Sequence, residues 1–395
     1  MNRLVTVFTG NRAEFGLLAP IIHSIEEHPD LSYSLLVSGA HLDNKFGSTL
    51  AEIQREGMRV GAEIKIDYPA AEGPVATPAA IGSAVNNIAR VLESIKPDIM
   101  LVYADRFETL GATIASSQMG IVTAHIEGGD LTEGGAFDDS VRHAITKLSH
   151  YHFTTNAEAT ERVLRMGEEP WRVKTIGLPT VQSIRTRNFA TPAECIKALQ
   201  LSLDQPILVF TQHPVATEFT DAGSQVRNSL SVLRELGRRG VQVVVTYPNN
   251  DLGSQQIVAE LERIGSADNI RVFKSLGRYL YQGLLALAQD PSVRICMAGN
   301  SSSGIKETPF FSCPTVNIGN RQKGRLRSVN VIDVPQEAAA IGNAIETCLF
   351  DDAFRESLKS SENPYDAGAD PGQLVAQYLA TVPLGVEALR KKMTY

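Results

Sequence analysis

Short apolar runs rich in Val and Ile recur along the chain, separated by longer stretches whose apolar positions fall at helical spacing. Continuous apolar strands between amphipathic helices predict parallel sheets covered on both faces. In the first half this pattern predicts strands at residues 4–9, 33–38, 64–68, 99–103, 121–126, 151–155 and 173–176. Helices are predicted there at 14–27, 77–95, 139–149 and 157–166. The second half repeats the arrangement, with strands at 207–212, 241–247, 270–273, 293–297 and 315–318 and helices at 224–238, 254–264, 277–288 and 336–349. A polar segment, RTRNFATP, separates the two series.

The expected fold class is therefore α/β, with two doubly wound Rossmann-like domains facing a cleft. Residues 1–185 form the first domain and 186–369 the second. Residues 370–395 form a helix crossing back to the first domain, interrupted at Pro383. Doubly wound sheets bind ligands at the carboxyl ends of their strands. The polar motifs of this chain gather at those ends.

Composition narrows the partners. The 395 residues are 43% hydrophobic and 21% charged, ordinary for a folded protein and too many for one core. A net charge of −7 supplies no global basic field for nucleic acid or an anionic membrane. Any anionic ligand must be held by a local cluster. Four cysteines, at 195, 296, 313 and 348, lack C-x-x-C spacing and read as reduced thiols of a cytoplasmic protein. The opening MNRLVTVFTG reads as a first strand, and no apolar run approaches the ~18 residues of a membrane span. No His, Cys and Asp constellation has metal-ligand spacing, so neither a metal nor another cofactor is expected.

Most informative is GNSSSGIKETPFF, residues 299–311, after an apolar run. Three serines between glycines at a strand-to-helix turn offer hydroxyls and backbone N–H groups to an anion, reinforced by a helix N-terminus. Ser301 and Ser302 are the expected phosphate contacts, although a Ser-capped helix explains the same pattern. Glu307, farther along, suits sugar hydroxyls. After the first strand, TGNRAEFG places Arg12 where a guanidinium can clamp a phosphate. That segment lacks the full G-x-G-x-x-G of a dinucleotide site.

Asp105 and Arg106 follow the strand at 99–103, either as functional groups or as an exposed ion pair. AHIEGGDLTEGGAFDDSVRH supplies His125, Glu127, Asp130, Glu133, Asp138, Asp139, Arg142 and His143 after the strand at 121–126. So many acids there suggest catalytic carboxylates, while Asp139 also suits a helix cap. TQHP presents His213 in a loop, since a residue before proline does not readily continue into a helix. YPNND brings Asn249, Asn250 and Asp251, and NIGNRQKGR brings Arg321, Lys323 and Arg325 as a basic patch for a diphosphate or a solvated loop.

With TGNRAEFG, DRFE, HIEGG, DDSVRHAITKLSHYHF, TQHP, YPNND, GNSSSGIKE and NIGNRQ occurring in that order, the chain resembles the hydrolysing UDP-N-acetylglucosamine 2-epimerases. The resemblance is to the sialic-acid branch and runs nearly end to end. It implies a GT-B-like fold, a homodimer or homotetramer, and a nucleotide-linked aminosugar substrate. It also implies proton removal from C2 with loss of UDP, then hydration of a 2-acetamidoglycal and reprotonation from the other face.

By that resemblance Asp105, Glu127 and Asp138 handle protons and His213 lies near the departing diphosphate. Arg12, Ser301 and Ser302 stabilise its charge, and Arg106, Arg142, Asn249, Glu307 and Arg321 position the nucleotide sugar, with uracil against backbone around residues 273–276. The loop DLTEGGAF is longer than in the sialic-acid enzymes. This brings in a second substrate, a UDP- or GDP-linked 2,4-diacetamido-2,4,6-trideoxyglucose on the way to legionaminic acid. A GT-B glycosyltransferase and a non-catalytic nucleotide-sugar-binding protein are the readings from other classes. The dense carboxylates disfavour the latter, because burying charge without a task is costly.

Overall fold

In a strand covered on both faces, alternate side chains feed two separate cores. The segment Ile99–Tyr103 shows this directly: Ile99, Leu101 and Tyr103 join one apolar cluster, Met100 and Val102 another. The computed structural model describes residues 2–42, 50–67, 75–132, 137–249, 251–264 and 269–395; the side chain of Arg12 lies outside the described set. The chain divides into two compact units, the first made of Met1–Asp130, Phe137–Ser183 and Tyr365–Tyr395 and the second of Leu131–Ala136 and Ile184–Pro364.

The first unit runs β1 (Arg3–Thr9), α1 (Arg12–Glu27), β2 (Leu31–Ser38), α2 (Leu50–Arg55), β3 (Val60–Ile64), α3 (Ala76–Ile95), β4 (Ile99–Tyr103) and α4 (Phe107–Gln118). It continues through β5 (Val122–Ile126), α5 (Phe137–Leu148), β6 (Tyr151–Thr154), α6 (Ala157–Arg165) and β7 (Val173–Thr175), and α7 (Val181–Arg185) carries the chain from the first unit into the second. The second unit holds α8 (Pro192–Leu199), β8 (Ile207–Thr211), α9 (Ala222–Arg238), β9 (Gln242–Thr246), α10 (Ser254–Ile264), β10 (Ile270–Phe273) and α11 (Gly277–Ala286). Then come β11 (Ile295–Gly299), α12 (Ser303–Lys306), β12 (Thr315–Ile318), β13 (Val331–Val334), α13 (Ala338–Phe350) and α14 (Asp352–Ser357). The chain returns to the first unit with α15 (Pro371–Thr381) and α16 (Val386–Leu389).

Both sheets are parallel and doubly wound. Their strand orders are β3-β2-β1-β4-β5-β6-β7 and β10-β9-β8-β11-β12-β13. Each order reverses beside its first strand, between β1 and β4 and between β8 and β11. Such a switch point opens a crevice at the strands' carboxyl ends. In the first unit, α1 and α15 cover one face, where Phe15, Leu18, Ile22, Val375 and Leu379 pack on Val5, Val7 and Leu35. Helices α3 and α4 cover the other through Ala80, Ala84, Ile88 and Ala112. Each fully buried Val, Leu or Ile contributes roughly 1.5–3 kcal/mol. These cores are what hold the switch points rigid.

Several expectations move. The third strand is Val60–Ile64, not 64–68; Tyr68 itself lies outside the described residues. Its burial alternates because it pairs only with β2 at the sheet edge, and the fully apolar pattern used to find strands does not apply there. The same reason hides β13, half-exposed and paired only with β12. The strand expected at 293–297 runs Ile295–Gly299, two residues later. Gly299 can end it because φ is +130° and a Cβ would collide with the Thr211 carbonyl. The helix expected over 370–395 is broken around Pro383 as expected, into Pro371–Thr381 and Val386–Leu389, while the return to the first unit starts earlier, at Tyr365.

Candidate active site

In the first unit the strand β4 delivers Asp105 and β5 delivers Glu127, each just beyond a sharp turn. Ala104 and Glu127 have φ of +57° and +67°. A left-handed conformation costs a non-glycine residue roughly 1–2 kcal/mol, so packing must impose it. Helix α5 carries Asp138, Asp139 and Arg142, the acids in its first turn where the macrodipole favours them.

Arg142 organises these groups. Its side chain is fully buried; Nη2 donates to Asp105 Oδ2, and Nη1 reaches Glu127 Oε1 at 3.5 Å and the Glu127 carbonyl at 3.3 Å. Asp139 Oδ1 stands 3.9 Å from its Nε. Burial opposes the charge, but Asp105, Glu127, Asp130 and Asp139 together hold the guanidinium above its usual range. Arg142 thus fixes two carboxylates of its own chain. Tyr103 donates its hydroxyl to Glu127 Oε2, and burial followed by Glu127 pushes the phenol well up, so it remains a donor.

Asp105 and Arg106 are not an ion pair with each other in the described hydrogen bonds. Arg106 meets Glu108 through Nε at 3.3 Å and Nη2 at 3.4 Å. Near them lies Glu14, in the first turn of α1, accepting from the Gly10 N–H at 2.8 Å and from Thr109 at 3.4 Å. Burial, then the Glu108 charge, raises its carboxyl to about 8. Asp138 is half-buried beside Asp139, and Glu133 lies outside the described residues.

The second unit builds a different site around Asn300, beyond β11. Asn300 accepts the His213 N–H at 2.6 Å and donates back to the His213 carbonyl at 2.8 Å, lacing the ends of β8 and β11 across the switch point. The Asn300 carbonyl accepts from Arg321 at 3.1 Å and from Gln322 at 2.8 Å. His213 lies in the loop after β8 but is buried there, and its Nδ1 accepts the Asn249 N–H at 3.1 Å. That bond directs Nδ1 to the backbone and any ring proton to Nε2.

Ser301 and Ser302 are half-buried, with Ser301 Oγ 3.0 Å from Ser303 Oγ, which itself meets the Tyr281 hydroxyl at 2.7 Å. The helix behind them, α12, has only four residues and passes into a 3-10 turn at Thr308–Phe311. Pro309, which has no N–H to continue the ladder, prevents a longer one. The macrodipole expected of a long helix is therefore small here. Serine hydroxyls and turn N–H groups are the polar groups this turn presents.

Glu307 is half-buried and accepts from Gln282 at 3.0 Å; burial raises its carboxyl. In the basic patch the arginines divide their roles. Arg321 stands at the Asn300 turn, whereas Arg325 is buried, bonded to the Leu131 carbonyl and to Thr132 at 3.0 Å. Asn250 lies outside the described residues.

Sequence reasoning missed Tyr103, Glu14 and Asn300. Each sits within two residues of a strand's carboxyl end or in the first turn after it, which was the available signal. Among the described residues no His, Cys, Asp and Glu side chains gather as metal ligands would. No described helix is long and apolar enough to cross a membrane.

Comparison with known proteins bears on what these two sites serve. The family model for UDP-N-acetylglucosamine 2-epimerase matches residues 23–378. The chain belongs to that family. It is 34% identical over 384 residues to the hydrolysing GDP/UDP-N,N'-diacetylbacillosamine 2-epimerase of Campylobacter jejuni, covering 97% of this chain and 96% of that one. It is 32% identical over 395 residues to the hydrolysing UDP-N,N'-diacetylbacillosamine 2-epimerase of Legionella pneumophila, covering all of both chains. The crystal structure of UDP-GlcNAc 2-epimerase from Neisseria meningitidis bound to UDP-GlcNAc has the same GT-B-like fold, with a TM-score of 0.77, 18% identity and coverage of 95% of this chain and 99% of that one. With this family membership the chain is a nucleotide-sugar 2-epimerase of the hydrolysing kind.

Proposed function

We propose that this epimerase hydrolyses UDP-linked 2,4-diacetamido-2,4,6-trideoxyglucose to UDP and the free C2-epimer, in nonulosonic acid biosynthesis of the legionaminic type. The observation that carries this choice of sugar is the end-to-end match to two hydrolysing diacetylbacillosamine 2-epimerases. UDP-N-acetylglucosamine is the second reading, favoured by the family model.

The chemistry runs in two stages. A carboxylate takes the C2 proton, the C1–O bond breaks with its electron pair leaving on UDP, and a C1=C2 double bond forms. Water then adds at C1 while C2 receives a proton on the opposite face. Inversion requires proton-handling groups on two sides of the ring, and Asp105, Glu127 and Asp138 supply them. Arg142 and Tyr103 hold the first two in place, supported by their hydrogen bonds to Asp105 and Glu127. Arg12, Ser301, Ser302 and His213 stabilise charge growing on the diphosphate. Arg106, Asn249, Glu307 and Arg321 position the nucleotide sugar.

Mass spectrometry of products from a panel of UDP- and GDP-linked 2-acetamido sugars tests the reading. The expected result is release of UDP with the diacetamido substrate at the highest kcat/KM. A preference for UDP-N-acetylglucosamine selects the second reading. Absence of nucleotide release from every member overturns both.

A further inference from the structure

His125 lies in the HIEGG motif, is fully buried, and has no role in the chemistry above. Its Nε2 is 2.8 Å from the Ala104 carbonyl, which only accepts, so Nε2 carries the proton. Its Nδ1 is then an acceptor and faces the Thr146 hydroxyl of α5 at 3.1 Å, a hydroxyl shared with the Arg142 carbonyl, also at 3.1 Å. The imidazole therefore joins three elements: the end of β5, the turn before Asp105, and the helix carrying Arg142. Burial lowers its pKa to about 3, which keeps the ring neutral.

Of the two left-handed residues of the site, Ala104 is bonded to this ring, and Glu127 precedes Gly128, which packs over it. Ala104 is held by His125 Nε2 on its carbonyl and by the Ile126 carbonyl on its N–H at 2.9 Å. Glu127, two residues after His125, is held through its N–H by the Phe153 carbonyl at 2.8 Å. Gly128 closes over the pair: a Cβ there would stand 3.0 Å from Thr146 Oγ1 and 3.1 Å from His125 Nδ1. The first glycine of HIEGG leaves room for the hydrogen bond beneath it.

We infer that His125, with Thr146 and Gly128, is a positioning residue that sets the strained turns presenting Asp105 and Glu127 to the substrate. It touches no reacting atom. Its effect is to hold two carboxylates at the spacing and direction that proton transfer on opposite faces demands. The inference rests on the proposed epimerase reading, in which Asp105 and Glu127 handle protons.

The amide of glutamine reaches about as far as Nε2 and donates to the Ala104 carbonyl, whereas asparagine reaches only about as far as Nδ1. The test compares H125Q, H125N and T146V with the wild type, measuring kcat, KM, UDP affinity by calorimetry and thermal unfolding on the full chain. In H125N, kcat is expected to fall by about 100-fold, the scale of a small misplacement of catalytic groups. KM and UDP affinity stay near wild type, and H125Q recovers at least about tenfold of the loss. In T146V, kcat falls while the fold is retained.

Equal losses in H125N and H125Q, or a kcat in folded H125N close to wild type, overturn the inference. Should H125N not fold, T146V decides: an unchanged kcat overturns it, and a reduced kcat at unchanged UDP affinity supports it. Lack of nucleotide release by the wild type instead refutes the epimerase reading itself, so the two failures are separate.

Discussion

Glu14→Gln is expected to make the protein more stable at alkaline pH. The Glu14 carboxyl is buried, accepts the Gly10 N–H at 2.8 Å, and sits near the Glu108 charge. Its pKa rises from 4.5 to about 8 in the folded state. A group with a raised folded pKa gives its full stabilisation below the unfolded pKa and loses it as pH climbs through the folded value. Between pH 5 and 8 the wild type must therefore lose on the order of 4 kcal/mol through this one group, at about 1.4 kcal/mol per pH unit. Glutamine reproduces the protonated acid: its oxygen accepts from Gly10 and its amide donates to Thr109, with no proton to lose. Urea unfolding of wild type and E14Q at pH 5 and pH 8, followed by a probe in the first unit, measures the difference directly. The two proteins are expected to be similar at pH 5 and E14Q to be clearly the more stable at pH 8. An equal change of both proteins across that range refutes the assignment of a buried, proton-bearing Glu14.

Other outcomes follow from the same geometry. Below neutral pH the sign reverses: His125, His150 and His152 have pKa values lowered by burial to about 3, 4 and 4, so their stabilisation is complete above pH 6.5 and lost as pH falls toward those values. Three histidines outweigh Glu14 there, and urea midpoints are expected to peak near pH 6.5; a midpoint that keeps rising to pH 4.5 contradicts this. Arg142→Ala leaves Asp105, Glu127 and Asp139 without their shared cation, and a destabilisation of about 3–5 kcal/mol is expected in calorimetric or urea unfolding. Arg142→Lys keeps the charge but not the fork, so it should recover stability more than turnover. Asp105→Asn and Asp138→Asn are each expected to lower kcat by on the order of 100-fold or more; a near-normal rate removes that residue from proton transfer.

The central strands were legible because both of their faces are buried. IMLVY at Ile99–Tyr103 and VVV within Gln242–Thr246 admit little else. The edge strands β3 and β13 were not, since one side of each meets solvent and their alternation is too short to stand out. The site was legible as motifs but not as pairings. Asp105 stands next to Arg106 in sequence yet bonds to Arg142, 37 residues on, because the turn at Ala104 directs neighbouring side chains to different partners. Glu14 offered only its place in the first turn after a strand, and nothing in its residue type marked it out. A glutamate in a first helical turn is usually a solvated dipole partner, and only the packing of Gly10, Thr109 and Glu108 around it makes it an acid.

The central claim, elimination followed by hydration with inversion at C2, is tested most directly by running the reaction in D2O and reading the sugar by NMR and mass spectrometry. With UDP-linked 2,4-diacetamido-2,4,6-trideoxyglucose the expected product is the free C2-epimer bearing one deuterium at C2, alongside UDP. A free sugar of unchanged C2 configuration without deuterium, or an epimer still attached to UDP, contradicts it.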